Sequence, residues 1–286
     1  MVKLSIVVPT LGRKKELAEL LESLAQLPQE YIEVIIVDQN AIGFLDDVLA
    51  KTSIDQLQHC HVHFTGAARA RNWGFRFTTG DVVNFCDDDA NVVPELYTIV
   101  KTVFANDKAL GMATFKVVDP VFNLPCMVSF ANTNCTVSRD NFNTITIEFA
   151  QFWRRSVFEK LHGYDETLGI GVYYGADEGQ DIVIRAIEQS IKMEYFNQIL
   201  FFHPQKYEAP IKRYYQYARG TGRVLYLHGN KLYVVKKQCI FLVKSFVGFF
   251  IYMLWRPNTS LRYGARFSGF IVGFFNSIFG RYLVKD

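Results

Sequence analysis

Acidic residues all but vanish from the last quarter of this 286-residue chain: residues 209–286 hold 13 Lys or Arg and a single acid, Asp286. The remainder holds 18 bases and 27 acids, so an overall charge of +3 conceals about +12 in the tail against −9 in the body. An acidic body joined to a basic, aromatic-rich tail implies that the tail meets something anionic, and an anionic membrane surface, not nucleic acid, is the expected partner. Cysteine is scarce as well. Cys60, Cys86, Cys126, Cys135 and Cys239 show no metal-ligand spacing, and their odd number would leave one unpaired in any disulfide framework. Reduced thiols in a cytosolic setting fit best.

Two nucleotide signatures are also missing. No Gly-x-x-x-x-Gly-Lys-Ser/Thr occurs, which argues against a P-loop kinase, and no Gly-x-Gly-x-x-Gly follows the first apolar run, which argues against a dinucleotide-binding dehydrogenase. The run Leu4-Ser5-Ile6-Val7-Val8 is too short and too early for a signal peptide's core, and reads as a first strand. The length suits one α/β domain with an appendage, or two small domains.

What is present centres on Phe85-Cys86-Asp87-Asp88-Asp89, three consecutive carboxylates ending the buried-strand run Val82-Val83-Asn84-Phe85. Adjacent anions repel, and a hard divalent cation is the usual compensation. The plainer reading is an acidic turn capping the helix expected near Pro94-Glu95. Upstream, Leu4 to Pro9 breaks at Thr10-Leu11-Gly12-Arg13 into a helical pattern, and Tyr31 to Val37 ends at Asp38-Gln39-Asn40. Strands alternating with helices imply a parallel sheet whose ligands sit beyond the carboxyl ends, so Thr10, Arg13, Asp38 and Asp87 to Asp89 are expected on one rim. Arg69 and Arg71, two apart, cannot share a helix face, so one of them is expected at the ligand edge.

Ile6-Val7-Val8-Pro9-Thr10 with Arg13, Val37-Asp38, Ala70-Arg71-Asn72 before Gly74, and Asp87-Asp88-Asp89 after Phe85 stand in an order that resembles the family 2 glycosyltransferases of GT-A fold. The resemblance implies a Rossmann-like α/β fold with a mostly parallel sheet flanked by helices. A nucleotide-sugar-binding half would occupy residues 1–110 and an acceptor-binding half 111–208 of the same domain, with a helical membrane-associated extension over 209–286. It implies that Pro9, Thr10, Arg13 and Asp38 hold base and ribose, that Arg71 lies near the diphosphate, that Asp87 faces the ribose, and that Asp89 faces Mn²⁺ or Mg²⁺. Asp88 is a further nucleotide-sugar candidate. His203, after the aromatic run Tyr195–Phe202, is implied as a third metal ligand. A cation and an arginine would neutralise a departing nucleoside diphosphate.

Phe152 to Glu166 is similar to the family's arginine-helix-Gly-Tyr-Asp-Glu element, and leads to Asp177-Glu178-Gly179-Gln180-Asp181, where many relatives carry Glu-Asp-x-Asp. An inverting transferase needs a carboxylate to take the acceptor hydroxyl's proton. Glu178 is the first choice and Asp181 and Asp177 the alternatives, Asp181 being equally suited to stabilise a helix N-terminus. Lys212 to Arg223 reads as a turn-rich amphipathic segment; relatives close such a segment over the diphosphate, which implicates Arg219 or Arg223, while headgroup contact competes. Cys239 to Trp255 is at the short limit for a span. The following segment suits an interfacial helix or one packed closely through Gly269-x-x-x-Gly273.

The implied activity is transfer of a sugar from a nucleotide-sugar, expected to be a UDP-sugar, to a hydroxyl of a lipid-linked saccharide in surface polysaccharide biosynthesis, at the cytoplasmic face of the membrane. A polyprenyl-phosphate sugar synthase and a catalytically silent nucleotide-sugar-binding protein are the alternatives.

Overall fold

In the computed structural model the apolar runs assemble into one sheet. Its strands are β1 (Leu4–Thr10), β2 (Ile32–Asp38), β3 (Leu57–His61), β4 (Val82–Phe85), β5 (Asn91–Val92), β6 (Leu110–Val118), β7 (Cys135–Thr136), β8 (Gln151–Arg154) and β9 (Lys192–Phe202). Their order is β3-β2-β1-β4-β8-β6-β9-β5, with β7 on β9. The helices are α1 (Lys14–Leu24), α2 (Asp46–Leu49), α3 (Ala67–Phe75), α4 (Leu96–Asn106), α5 (Phe142–Ile145), α6 (Arg155–Lys160), α7 (Glu178–Glu188), α8 (Ile211–His228), α9 (Leu232–Tyr252) and α10 (Pro257–Ile278).

The sheet is mixed, which corrects the expectation of a mostly parallel one. β3, β2, β1 and β4 run parallel, as do β6 and β9, but β8 is antiparallel to β4 and β6, and β5 and β7 are antiparallel to β9. Parallel neighbours need a crossover, usually a helix, and the stretch between β6 and β8 supplies only the four-residue α5.

The chain forms two compact units. One comprises Met1–Thr65, Arg69–Gly163 and Ile182–Gln205 and contains the sheet; the other comprises Gly66–Ala68, Tyr164–Asp181 and Lys206–Asp286 and contains α8 to α10. The structure describes residues 2–205 and 209–280, so the expected boundary at 208 and the last six residues of the tail lie outside the described residues.

In the first unit β1 is buried along its whole length, as a strand covered on both faces must be. α3 reaches the sheet closely because Gly74 has no side chain: a Cβ there would collide with Val7 and Val37. Gly74 therefore sets how near Arg71, three residues earlier on the same helix, comes to the strand ends. β4 is fixed against the sheet centre by the Asn84 side-chain amide, which donates to the Phe149 and Gln151 carbonyls at 2.8 and 2.9 Å. The Phe85 ring packs on Phe158 at 4.5 Å between centroids.

In the second unit the expected turn-rich segment is a continuous helix, α8, and Gly220 and Gly222 do not break it. They serve close packing instead: a Cβ on Gly220 would strike the Ala176 carbonyl, and one on Gly222 the Phe270 carbonyl. α10 returns the approach, since Gly269 and Gly273 lie against the Tyr215 and Arg219 carbonyls of α8. Of the two expectations for α10, close packing through Gly269-x-x-x-Gly273 is the one this unit shows. Gly273→Ala tests that contact. Helix propensity alone would raise stability by about 1 kcal/mol, but intrusion on the Arg219 backbone should cost about 1–3 kcal/mol, so the melting temperature is expected to fall. Among the described residues no helix is long and apolar enough to cross a membrane.

Candidate active site

The first unit brings the acidic turn together with Thr10, Arg13, Asp38, Arg71 and His203. Register pairs Thr10 with Asp38 at the carboxyl ends of β1 and β2, and Val7 with Phe85, so the turn after β4 emerges beside them. Pro9, opposite Val37, lies within β1. Arg13 Nη1 donates to Asp88 Oδ1 at 2.7 Å and lies 2.8 Å from Asp89 Oδ1. Arg71, almost wholly buried, donates from Nη2 to Asp87 Oδ1 at 2.7 Å. Arg71 is thus the arginine of its pair that faces the edge, whereas Arg69 lies over the Phe64 ring at 4.4 Å.

Two guanidinium groups hold three carboxylates, which leaves an excess of negative charge in a poorly solvated turn. Burial pushes the Asp88 carboxyl up to about 6 against the pull of Arg13. Burial and the neighbouring acids also push the Cys86 thiol well up, so it stays protonated. His203 Nε2 lies 3.1 Å from Asp89 Oδ1, and its ring stacks on Phe149 at 5.1 Å, while its buried Nδ1 has no hydrogen-bond partner. One ligand atom from each of Asp87, Asp89 and His203 falls within 4.8 Å of the other two, a spread that one divalent ion can gather with small side-chain adjustments. Two carboxylates and an imidazole fit Mn²⁺ more readily than Mg²⁺, which favours all-oxygen ligation.

Asp38 is held on both oxygens. Oδ1 accepts from the Asn40 backbone and side-chain amides at 2.9 and 2.7 Å, and Oδ2 lies 3.0 Å from His59 Nε2. Asn40 in turn accepts from the Gly12 N–H at 2.6 Å and holds His61 through its carbonyl at 2.8 Å. No role for His59 or His61 emerges from sequence reasoning. Their spacing of two places them on one face of β3, and that was the available signal.

The second unit gathers the other predicted acids. Asp181, buried in the first turn of α7, pairs with His228 at 2.8 Å. Glu178 is buried, and Gly169, at φ +103, leaves it room: a Cβ there would sit 3.0 Å from the Glu178 carboxyl carbon. Asp177 takes a left-handed φ of 75, a conformation that costs a non-glycine residue free energy. Desolvation pushes its carboxyl up to about 6, with an interaction from Thr221 working against it and the Glu178 charge adding to it. Arg219 lies between Tyr173 and Tyr215 at 3.9 and 5.3 Å, and Arg223 between Tyr174 and Tyr226 at 5.2 and 5.5 Å.

The Asp177 carboxyl titrates higher in the folded protein than in the open chain. The folded state binds this proton more tightly than the unfolded chain, so stability should decline as pH rises from about 3.8 to about 6 and carry the full penalty above. Asp177→Asn removes the titration. Its melting temperature relative to the parent is expected to climb across that window and level off above it, as followed by thermal denaturation at stepped pH.

Comparison with known proteins places this arrangement. The model of "Glycosyl transferase family 2" matches residues 5–161. The glucosyl-dolichyl phosphate glucuronosyltransferase of Haloferax volcanii is 32% identical over 192 residues, covering 58% of this chain and 57% of the relative. A glycosyltransferase of Haemophilus influenzae, described as uncharacterized, is 39% identical over 98 residues, 32% of this chain and 31% of the relative. The chain thus spans about a third to just over half the length of these curated relatives. Among solved structures, S. aureus TarS 1–349 in complex with UDP-GlcNAc superposes with a TM-score of 0.61 at 17% identity, covering 99% of this chain and 94% of that one. The mannosyltransferase PcManGT from Pyrobaculum calidifontis, in complex with GDP-Man and Mn²⁺, superposes with a TM-score of 0.66 at 12% identity, covering 98% and 88%. These likenesses support the GT-A-type α/β fold. The matched stretch runs from β1 through the acidic turn to the end of α6 and takes in more than half of the residues, so this chain belongs to glycosyl transferase family 2.

Proposed function

We propose that the protein is an inverting, metal-dependent glycosyltransferase that moves a sugar from a nucleotide-sugar, a UDP-sugar by this reading, to a hydroxyl of a lipid-linked saccharide in surface polysaccharide biosynthesis. The observation that carries the proposal is the convergence of Asp87, Asp89 and His203 beside Thr10 and Asp38 at the strand ends. When bound by those three residues, Mn²⁺ or Mg²⁺ would supply positive charge for the departing diphosphate. Asp38, held by Asn40 and His59, presents a fixed carboxylate to the base, with Thr10 beside it. Arg71 orients Asp87 towards the ribose and the ion. Arg13, paired with Asp88 and Asp89, fixes those carboxylates on the base-and-ribose side of the site, and Arg71 is the arginine assigned to the diphosphate. Glu178 is the proposed base, with Asp181, which pairs with His228, and Asp177 the alternatives.

The donor class is supported by the neighbours solved with UDP-GlcNAc and GDP-Man, the latter with Mn²⁺. A lipid-linked acceptor is supported by the name of the Haloferax relative, a glucosyl-dolichyl phosphate glucuronosyltransferase, and by the basic tail, which suits the cytoplasmic membrane face. The test is nucleoside diphosphate release from a panel of UDP- and GDP-sugars. Release is expected with Mn²⁺ and should disappear on chelation and return on adding the ion back. Turnover that ignores chelation would end the metal-dependent reading.

A further inference from the structure

We propose that the outward side of α9, continued through the turn into α10, docks this protein on a bilayer whose headgroups are anionic. Surface helices ordinarily turn their apolar stripe inward. α9 is apolar on its outward side as well: beyond the buried Val234, Ser245 and Gly248 and the Phe241 ring packed on Phe270, the residues Ile240, Val243, Val247, Phe250 and, in the turn, Leu254 recur at intervals of three and four along an exposed line. Trp255 ends that line at 85% exposure. Scattered exposed apolar residues are ordinary, whereas a contiguous strip of this extent marks an interaction surface.

Two further observations choose the occupant. Phe250 also lines an apolar groove of about 620 Å³ between α8, α9 and α10, walled by Phe246, Phe249, Leu261 and Phe267, a shape suited to a hydrocarbon chain. Lys236 and Lys244 stand four residues either side of Ile240, hence on the exposed line, and Arg256 follows Trp255; all three are exposed. Long cationic side chains at the border of an apolar strip lay their stems on hydrocarbon and keep their charges at the headgroup level. Residues 209–280 contain no acid, so a second copy docking through the same strip would set cation against cation. An anionic lipid surface meets both the strip and the charges. Because no described helix is long and apolar enough to cross, the helix lies along the surface.

The proposed function enters this inference only through the lipid-linked acceptor, which makes a bilayer the natural location. The test therefore reads binding and turnover separately. The full chain is mixed with vesicles of phosphatidylcholine alone, or of phosphatidylcholine with phosphatidylglycerol, and sedimented. Binding is expected to the anionic vesicles, to weaken with added salt, and to shift tryptophan emission to the blue. Trp153 is fully buried and Trp73 half-buried, so Trp255→Phe should remove most of the shift while the protein still sediments. Val247→Ser with Phe250→Ser, both on the exposed line, should lower partitioning by roughly tenfold or more. Equal binding to both vesicle types, binding to neither, an unaffected double variant, or a vesicle-free dimer that shields Trp255 would each overturn the proposal. Nucleoside diphosphate release is measured on the same preparation without vesicles: an active protein that ignores vesicles sinks only the docking, and a vesicle-bound protein without turnover sinks only the enzymatic reading.

Discussion

Asp89→Ala is expected to lower nucleoside diphosphate release by on the order of 10³-fold, the scale seen when a preorganised group that neutralises developing charge is removed. Asp89 lies 2.8 Å from Arg13 and 3.1 Å from His203, and is almost completely buried. Its loss removes one of the three groups that can hold the ion and leaves Arg13 with Asp88 as its remaining close partner. The alanine variant also leaves a small buried gap, so Asp89→Asn serves as the companion: similar in volume, neutral, and a poor ligand. Both variants should retain the far-ultraviolet circular dichroism of the parent, and both should show weakened Mn²⁺ binding by calorimetry. Parent-like turnover in Asp89→Asn would remove the ion from the mechanism.

Glu178→Gln is expected to reduce sugar transfer by roughly 10²–10⁴-fold, the usual worth of a positioned general base, while leaving nucleotide-sugar affinity within a few-fold of the parent. The amide matches the carboxylate in size and fits the space that Gly169 leaves, so the loss would report chemistry and not packing. Asp181→Asn and Asp177→Asn, measured in the same transfer assay, separate the alternatives: whichever variant loses transfer without losing donor binding names the base. Retained transfer in Glu178→Gln would pass the role to Asp181 or Asp177, the latter's carboxyl, pushed up to about 6, being still ionised at neutral pH.

The rim of the site was legible from sequence because each apolar run ends in a polar residue that must do something at the strand's carboxyl edge. Thr10, Asp38 and the acidic turn were found that way, and their register agrees. The mixed order of β8, β6 and β9 was not legible, because pairing between strands dozens of residues apart depends on which apolar faces meet and leaves no local signature. Within the helical tail, the unbroken course of α8 through Lys212 to Arg223 is hidden for a different reason. Gly220 and Gly222 look like breakers, and only the carbonyls of Ala176 and Phe270 against them explain why glycine is there. His59 and His228 escaped notice since each takes its meaning from a carboxylate more than 20 residues away.

The tyrosine cages around Arg219 and Arg223 carry a consequence for long-range attraction. An aromatic face interacts with a cation through its quadrupole, which decays steeply with distance and contributes no net charge. A guanidinium held by rings is therefore anchored without being neutralised, whereas one held by a carboxylate becomes half of a dipole. The charges of Arg219 and Arg223, one helical turn apart, therefore stay available to an anionic group that comes within about 8 Å, the screening length at physiological ionic strength.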